Sequence, residues 1–241
     1  MEYRNLNQAA APTGVAEPVT AADGARVAGF LRAVYGWMFV GLLVTAGVAA
    51  FVAATPALVQ TIATNRVAFW GMIIAQFGLV IVLSARVQRL APATAGLLYI
   101  TYSAIMGLFL SFILLAYTAQ SVTTTFLVTA STFGAMAAWG TITKRDLVGL
   151  GQFATMGLIG VVIASIVSIF WHNDMFQFVL NCCGVITFTC LAAWDARRLR
   201  AMALALPEGQ TGSFAIVGAL SLYLDFINLF LFLLRFLGRR R

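Results

Sequence analysis

The sequence predicts an all-α membrane protein with seven transmembrane helices, and three observations carry that expectation. Of 241 residues, 61% are hydrophobic and only 10% charged, with a mean hydropathy of +0.94, whereas a soluble domain balances roughly half apolar against about a quarter charged residues. The apolar residues gather into seven segments, each near the ~20 residues that cross a ~30 Å hydrocarbon core. All five prolines, Pro12, Pro18, Pro56, Pro92 and Pro207, stand outside those segments, as expected of a residue whose fixed φ and missing N–H break helices. No run shows the ~10-residue alternation of a membrane β-strand, and in lipid only a helix or a closed barrel satisfies its own backbone.

Residues 1–30 are rich in Ala, Pro, Thr and Gly, carry Glu2, Glu17 and Asp23, and contain neither the charged start nor the apolar stretch of a secretory signal. They are expected to form a disordered cytoplasmic tail. The seven-helix domain is expected over 31–238, followed by a basic tail at 239–241. The first helix, about 32–54, ends ahead of Pro56, and the second, about 67–85, lies between Arg66 and Arg86. The third, about 93–117, opens after Pro92, and the fourth, about 122–142, stops before "TKRDL". The fifth, about 147–170, carries Gly149, Gly151, Gly157 and Gly160, small residues that let helix backbones approach closely. A short turn holding His172 and Asp174 precedes the sixth, about 175–195, which closes on "LAAWDARRLR"; the seventh occupies about 213–237. Two sets of three helices precede the last one, but no internal repeat is legible in the sequence.

The net charge of +7 comes from 15 Lys+Arg against 8 Asp+Glu. The basic residues sit between apolar runs rather than on one solvated face, so they describe topology and not nucleic-acid binding. With the N-terminus inside, Arg4, Arg26, Arg32, Arg86, Arg89, Lys144, Arg145, Arg197, Arg198 and Arg200 all fall on the cytoplasmic side, and Arg66 alone falls outside within the first six helices. Arg235, Arg239, Arg240 and Arg241 break that pattern: either the last helix crosses fully and carries them outside, or it turns back. Cys182, Cys183 and Cys190 share one apolar segment and the chain has a single histidine, which provides neither a disulfide framework nor a zinc site. No nucleophile–base or metal-ligand motif lies within the spans, so no enzymatic activity and no cofactor is expected.

One acidic residue lies deep in a span. Asp225, in "LSLYLDFINLFLFLLRFLG", is about twelve residues from either end of the span 213–237, roughly 18 Å at ~1.5 Å per residue. An unpaired carboxylate there costs several kcal/mol, so it must be neutral, paired or wet. Gly218, Ser221, Asp225 and Asn228 follow spacings of three and four and share one helix face, while Leu222, Phe226, Leu229, Phe230 and Leu233 cover the others. That polar stripe is expected to face protein or a cavity. Arg235 continues it but lies ~15 Å along the axis, too far for a direct pair, so the partner should come from another helix. Asp195, at the end of the sixth span, and Arg86, at the end of the second, lie on the cytoplasmic side and are the candidates. Asp146 in "TKRDL" is expected to be a loop charge with a helix-start role.

Several stretches, in order, resemble the Bax-inhibitor-1 family of seven-helix membrane proteins in its bacterial branch. They are "YGWMFVGLLVTA", "IMGLFLSFILLAYTAQSVTTTF", "TFGAMAAWGTITKRDLVGLGQF", "GVITFTCLAAWD" and "GALSLYLDFINLFLFLLRFLG". The resemblance covers about residues 30–238. It implies a bundle whose central seventh helix is wrapped by two three-helix layers, in a bacterial inner membrane. It also implies a calcium leak gated by pH through paired aspartates, which fall on Asp195 and Asp225. The arginine that latches the pair in the closed pore falls on Arg86, or else Arg89. The chain departs from many relatives at Trp194, where they have tyrosine, at Ala196-Arg197, where they have Thr-Gln, and at Gln76, where a glutamate is frequent.

Calcium prefers six to eight oxygen ligands, so Asp195 and Asp225 with carbonyls and waters would make a weak, transient calcium site suited to permeation. The expected function is thus a pH-sensitive calcium-leak channel with calcium and the lipid bilayer as its partners. Two alternatives stand beside it. One is a membrane regulatory protein that binds other membrane proteins such as a quality-control protease, and the other is a proton-coupled cation transporter, which a buried acid serves equally well.

Overall fold

The computed structural model describes residues 21–143, 145–171, 173–207 and 211–240. The helices are α1 (Ala21–Ala53), α2 (Pro56–Thr64), α3 (Arg66–Ala85), α4 (Pro92–Ala116), α5 (Ala119–Ile142), α6 (Val148–Phe170), α7 (Asp174–Ala205) and α8 (Thr211–Leu237). Seven of them, all but α2, are long and apolar enough to cross a membrane. The fold class is the one the sequence predicts.

Local chemistry sets the helix starts. Pro56 and Pro92 occupy the first turns of α2 and α4, where a missing N–H costs nothing. The side chains of Asn65, Thr118 and Asn173 accept N–H bonds at the starts of α3, α5 and α7, satisfying donors that have no intrahelical partner. Asp146 takes the helix-start role expected of it, its carboxylate accepting the Val148 N–H at 2.9 Å.

Three boundaries differ from the sequence expectation, each for a physical reason. α1 begins at Ala21, so residues 21–30 of the predicted tail are helical; residues 1–20 lie outside the described residues. α7 runs on to Ala205 instead of stopping at 195. Both extensions leave the apolar window but are fastened by arginines. The guanidinium of Arg26 donates to the Leu206 carbonyl at 2.7 Å, Arg197 to the Thr143 carbonyl at 2.5 Å and Arg200 to the Thr141 carbonyl at 2.6 Å. These are carbonyls at helix C-termini, where cations are favoured. The third difference is α2, a short helix whose nine residues cannot cross a membrane and whose hydropathy pattern does not separate it from a loop.

α1, α3 and α4 form one triplet and α5, α6 and α7 the other. In each, the third helix packs on both of its companions, α4 on α1 and α3, and α7 on α5 and α6. Since a triplet holds an odd number of crossings, the second repeats the scheme of the first upside down, an inverted repeat of packing rather than of sequence. Close approach within the triplets rests on glycine. A side chain at Gly107 would run into the Thr45 carbonyl and Val48, and one at Gly140 into the backbone of Ala193.

α8 packs against α1, α4, α5 and α7 and is the central helix, buried over most of its length. Ser213 at its start donates to the Leu90 carbonyl at 2.6 Å. Past its end, Arg239 accepts the Thr118 N–H at 3.1 Å and donates to Ser121 Oγ at 3.0 Å, while Arg240 bridges to Tyr117. α8 therefore runs from the α3–α4 junction to the α4–α5 junction, the same traverse as α4. Of the two courses open from the sequence, it takes the full crossing. The arginine-rich end of the bundle gathers the start of α1 and the junctions α3–α4, α5–α6 and α7–α8.

Candidate functional site

α7 and α8 pack along each other in a seam made of side chains spaced by three or four residues, the spacing that aligns positions on one helix face. Leu199 of α7 sits against Gly218 of α8, where any larger side chain would collide with it. About a turn deeper, the carboxyl groups of Asp195 and Asp225 come within hydrogen-bonding reach of each other. Both are buried, at 8% and 6% exposure, and the Oδ2 atom of Asp225 has no hydrogen-bond partner. Two carboxyl groups in such contact are held together by a shared proton or by a cation between them, since two bare anions in a low-dielectric interior repel.

The pair has company on the arginine-rich side. A cleft of about 50 Å³ reaches it between Arg198, Ser221, Met202 and Phe214, room for one or two waters. Arg198 is the cation acting on Asp195, and its guanidinium lies 5.5 Å from the centre of the Trp194 ring. Away from that end the seam is closed by rings: Phe232 of α8 stacks on Phe188 of α7 with centroids 5.8 Å apart, seated where Gly184 offers no side chain. Asp195 is thus reached from the arginine-rich end of the bundle, and the two stacked phenylalanines lie on the other side of the pair.

The structure brings together Asp195, Asp225 and Ser221. Asn228 stands aside, its Nδ2 donating to the Leu224 carbonyl of its own helix at 2.8 Å. Arg86 caps the end of α3 and is exposed, as is Arg89. α3 packs on α4 at the edge of the bundle, and among the described residues neither arginine pairs with the aspartates. The nearby cation is Arg198. It lies three residues after Asp195, a neighbouring position on one face, and would have been legible had α7 been predicted beyond 195. Asp195 itself is an interior helix residue and not a helix end. His172 lies outside the described residues, and the three cysteines are unpaired.

A second polar cluster, absent from the sequence expectation, faces the other triplet. The rings of Tyr99, Tyr102 and Tyr223 meet edge to face, with Tyr223 5.9 Å from each of the others. The Tyr223 hydroxyl shares a 2.6 Å hydrogen bond with Thr45 Oγ1, which also lies 2.9 Å from the Ser103 carbonyl. Gln76, near the middle of α3, is buried with neither amide atom bonded.

A bundle of seven long apolar helices around a central one is the architecture that the sequence resemblance implies, and the two aspartates that the resemblance singles out meet between α7 and the central α8. The signature of the family described as "Inhibitor of apoptosis-promoting Bax1" matches residues 27–241, and the chain belongs to that family. It is 47% identical over 215 residues to the inner membrane protein YbhL of Escherichia coli, covering 88% of this chain and 92% of the relative. An uncharacterized protein of Borreliella burgdorferi is 40% identical over 214 residues, covering 88% and 92%, and one of Deinococcus radiodurans 41% identical over 206, covering 85% and 88%.

Proposed function

We propose that the chain is a pH-responsive calcium leak of a bacterial inner membrane, with the Asp195–Asp225 pair as its gate. The observation that carries this is a pair of buried carboxyl groups from two spanning helices, in contact with each other, with a cleft from the arginine-rich end reaching Asp195. The family resemblance points to calcium, and the relative YbhL, an inner membrane protein, to the inner membrane. Two carboxylates bind a divalent cation weakly unless carbonyls and waters complete the shell, which suits passage more than storage.

In this reading Arg198 takes the latch role expected of Arg86, since it is the cation beside the pair. Protonating one aspartate loosens the hold on Arg198, so acid raises the leak until full protonation removes the cation's ligands. Phe188 and Phe232 form the dry barrier that opening must part. No bond is made or broken, so the chain acts without enzymatic chemistry or cofactor.

The test is calcium-dye flux in liposomes containing the purified chain, measured against pH. Flux that rises on mild acidification and falls roughly tenfold or more in Asp225→Asn is expected, because the intramembrane charge is the cation's main ligand. Flux absent at every pH, or unchanged in Asp225→Asn, overturns the reading. Calcium movement tied to protons at fixed stoichiometry makes the chain a transporter instead.

A further inference from the structure

α1 and α5, the first helices of the two triplets, both pack on α7 and α8 yet make little contact with each other. The gap between them is an open groove of about 480 Å³ walled by Tyr35, Met38 and Phe39 on one side and by Phe133, Ala138 and Ile142 on the other. Tyr35 to Leu42 measures roughly 10 Å along the helix at ~1.5 Å per residue, about half the length of an acyl chain. The walls are apolar except at one end, where Tyr35 and Thr141 both line the groove and the Thr141 hydroxyl donates to the Ala137 carbonyl at 2.8 Å.

That end is also where the arginines converge. Arg200 donates to the Thr141 carbonyl at 2.6 Å and Arg197 to the Thr143 carbonyl at 2.5 Å. Each of these contacts uses one Nη1 atom, whereas a guanidinium has five N–H donors, so both half-buried side chains keep donors to spare. Arg32 is exposed one turn before Tyr35 on the same face of α1, and Arg145 is exposed just beyond Thr143. Asp146 is the acid nearest in sequence, and its carboxylate is engaged with the Val148 N–H. Apolar groove and basic mouth thus lie end to end, with a hydroxyl pair between them.

We propose that this groove is a binding site for an anionic glycerophospholipid. One acyl chain lies between α1 and α5, the ester region meets Tyr35 and Thr141, and the phosphate accepts from Arg197 and Arg200 with Arg32 and Arg145 around it. An anionic headgroup between basic side chains at a membrane face is the charge complement this mouth calls for. A zwitterionic lipid fits the groove equally but carries a compensating cation that the arginines repel. The site is separate from the carboxylate seam and does not depend on the chain conducting any ion.

Native mass spectrometry of the full chain, released from bilayers of equal phosphatidylglycerol and phosphatidylcholine with matched chains, tests it. Retention of phosphatidylglycerol over phosphatidylcholine is expected. Arg32→Gln and Arg145→Gln, which leave the α5 cap untouched, each lower that retention by about 5-fold, the worth of one basic residue at an anionic surface. Ala138→Trp fills the groove and removes the retained lipid with all arginines in place, and glycerophosphate without acyl chains does not compete. Equal retention of the two lipids, full retention by Ala138→Trp, or displacement by glycerophosphate each overturns the proposal. Circular dichroism and gel-filtration profiles matching the wild type keep the variants informative.

Discussion

The two triplets build the same packing scheme against α8 but meet it with opposite chemistry. Tyr223 and Asp225 are two residues apart, so they point ~200° apart around the helix. Tyr223 turns to the first triplet, where its hydroxyl bonds Thr45, Thr45 bonds the Ser103 carbonyl, and Tyr99 and Tyr102 pack on its ring edge to face in a neutral cluster; the Tyr99 hydroxyl is buried there without a partner among the described residues. Asp225 turns to the second, where it meets another acid. Packed rings and a neutral hydroxyl pair need no counter-charge to stay together, whereas two carboxyl groups need a proton or a cation. One side of the central helix is an anchor and the other is titratable.

The largest expected contrast breaks that pairing directly. Asp225→Asn or Asp195→Asn lowers calcium flux roughly tenfold or more, while Tyr223→Phe, which keeps ring packing and loses one hydrogen bond, leaves flux at the wild-type level; the assay is dye-reported flux in liposomes. Next comes packing. Gly140→Leu drives a side chain into the Ala193 backbone and costs about 3 kcal/mol or more, read as a lower unfolding temperature in detergent. Gly134→Ala, with nothing near its position, is neutral or gains up to ~1 kcal/mol. A smaller effect separates the arginines. Arg198→Gln removes a cation beside Asp195 and moves the flux–pH profile by ~0.5 unit towards alkaline pH, the scale of an exposed charge pair, whereas Arg86→Gln leaves the profile in place. Smallest is the cost to stability of Tyr223→Phe, about 0.6 kcal/mol for one hydrogen bond between membrane helices, measured by denaturant titration. Should Tyr223→Phe abolish flux, or Arg86→Gln move the profile instead of Arg198→Gln, the division between anchor and titratable face is wrong.

Hydropathy made the spans legible because lipid demands a long apolar run, and the three- and four-residue spacing around Asp225 marked the face that had to meet protein. Neither signal reaches past the hydrocarbon. The ends of α1 and α7 continue through "ADGARV" and "ARRLRAMALA", segments whose helicity depends on arginine-to-carbonyl bonds with partners far along the chain. Missing those ends hid Arg198, since Asp195 read as a terminus with no following turn. The inverted repeat is carried by which helices touch, with unrelated side chains at equivalent places, so no comparison of the two halves as strings could find it. Arg86 is a candidate both from its place at the cytoplasmic end of the second span and from the resemblance, but α3, peripheral and packed on α4, places it at the edge of the bundle.

The three arginine-to-carbonyl bonds at one end of the bundle have a mechanical consequence. Arg26, Arg197 and Arg200 buckle α1, α5 and α7 together just beyond the hydrocarbon, and α7 and α8 are tethered at the same end by the short connection between Ala205 and Thr211, so this end would serve as a fulcrum. Any separation of α7 from α8 then grows with distance from it, like the opening of shears. The carboxyl pair lies near the pivot and moves little, while the stacked rings of Phe188 and Phe232, farther along the blades, part the most. In the proposed leak, a small change in charge at the pair would thereby be geared into a larger displacement at the rings.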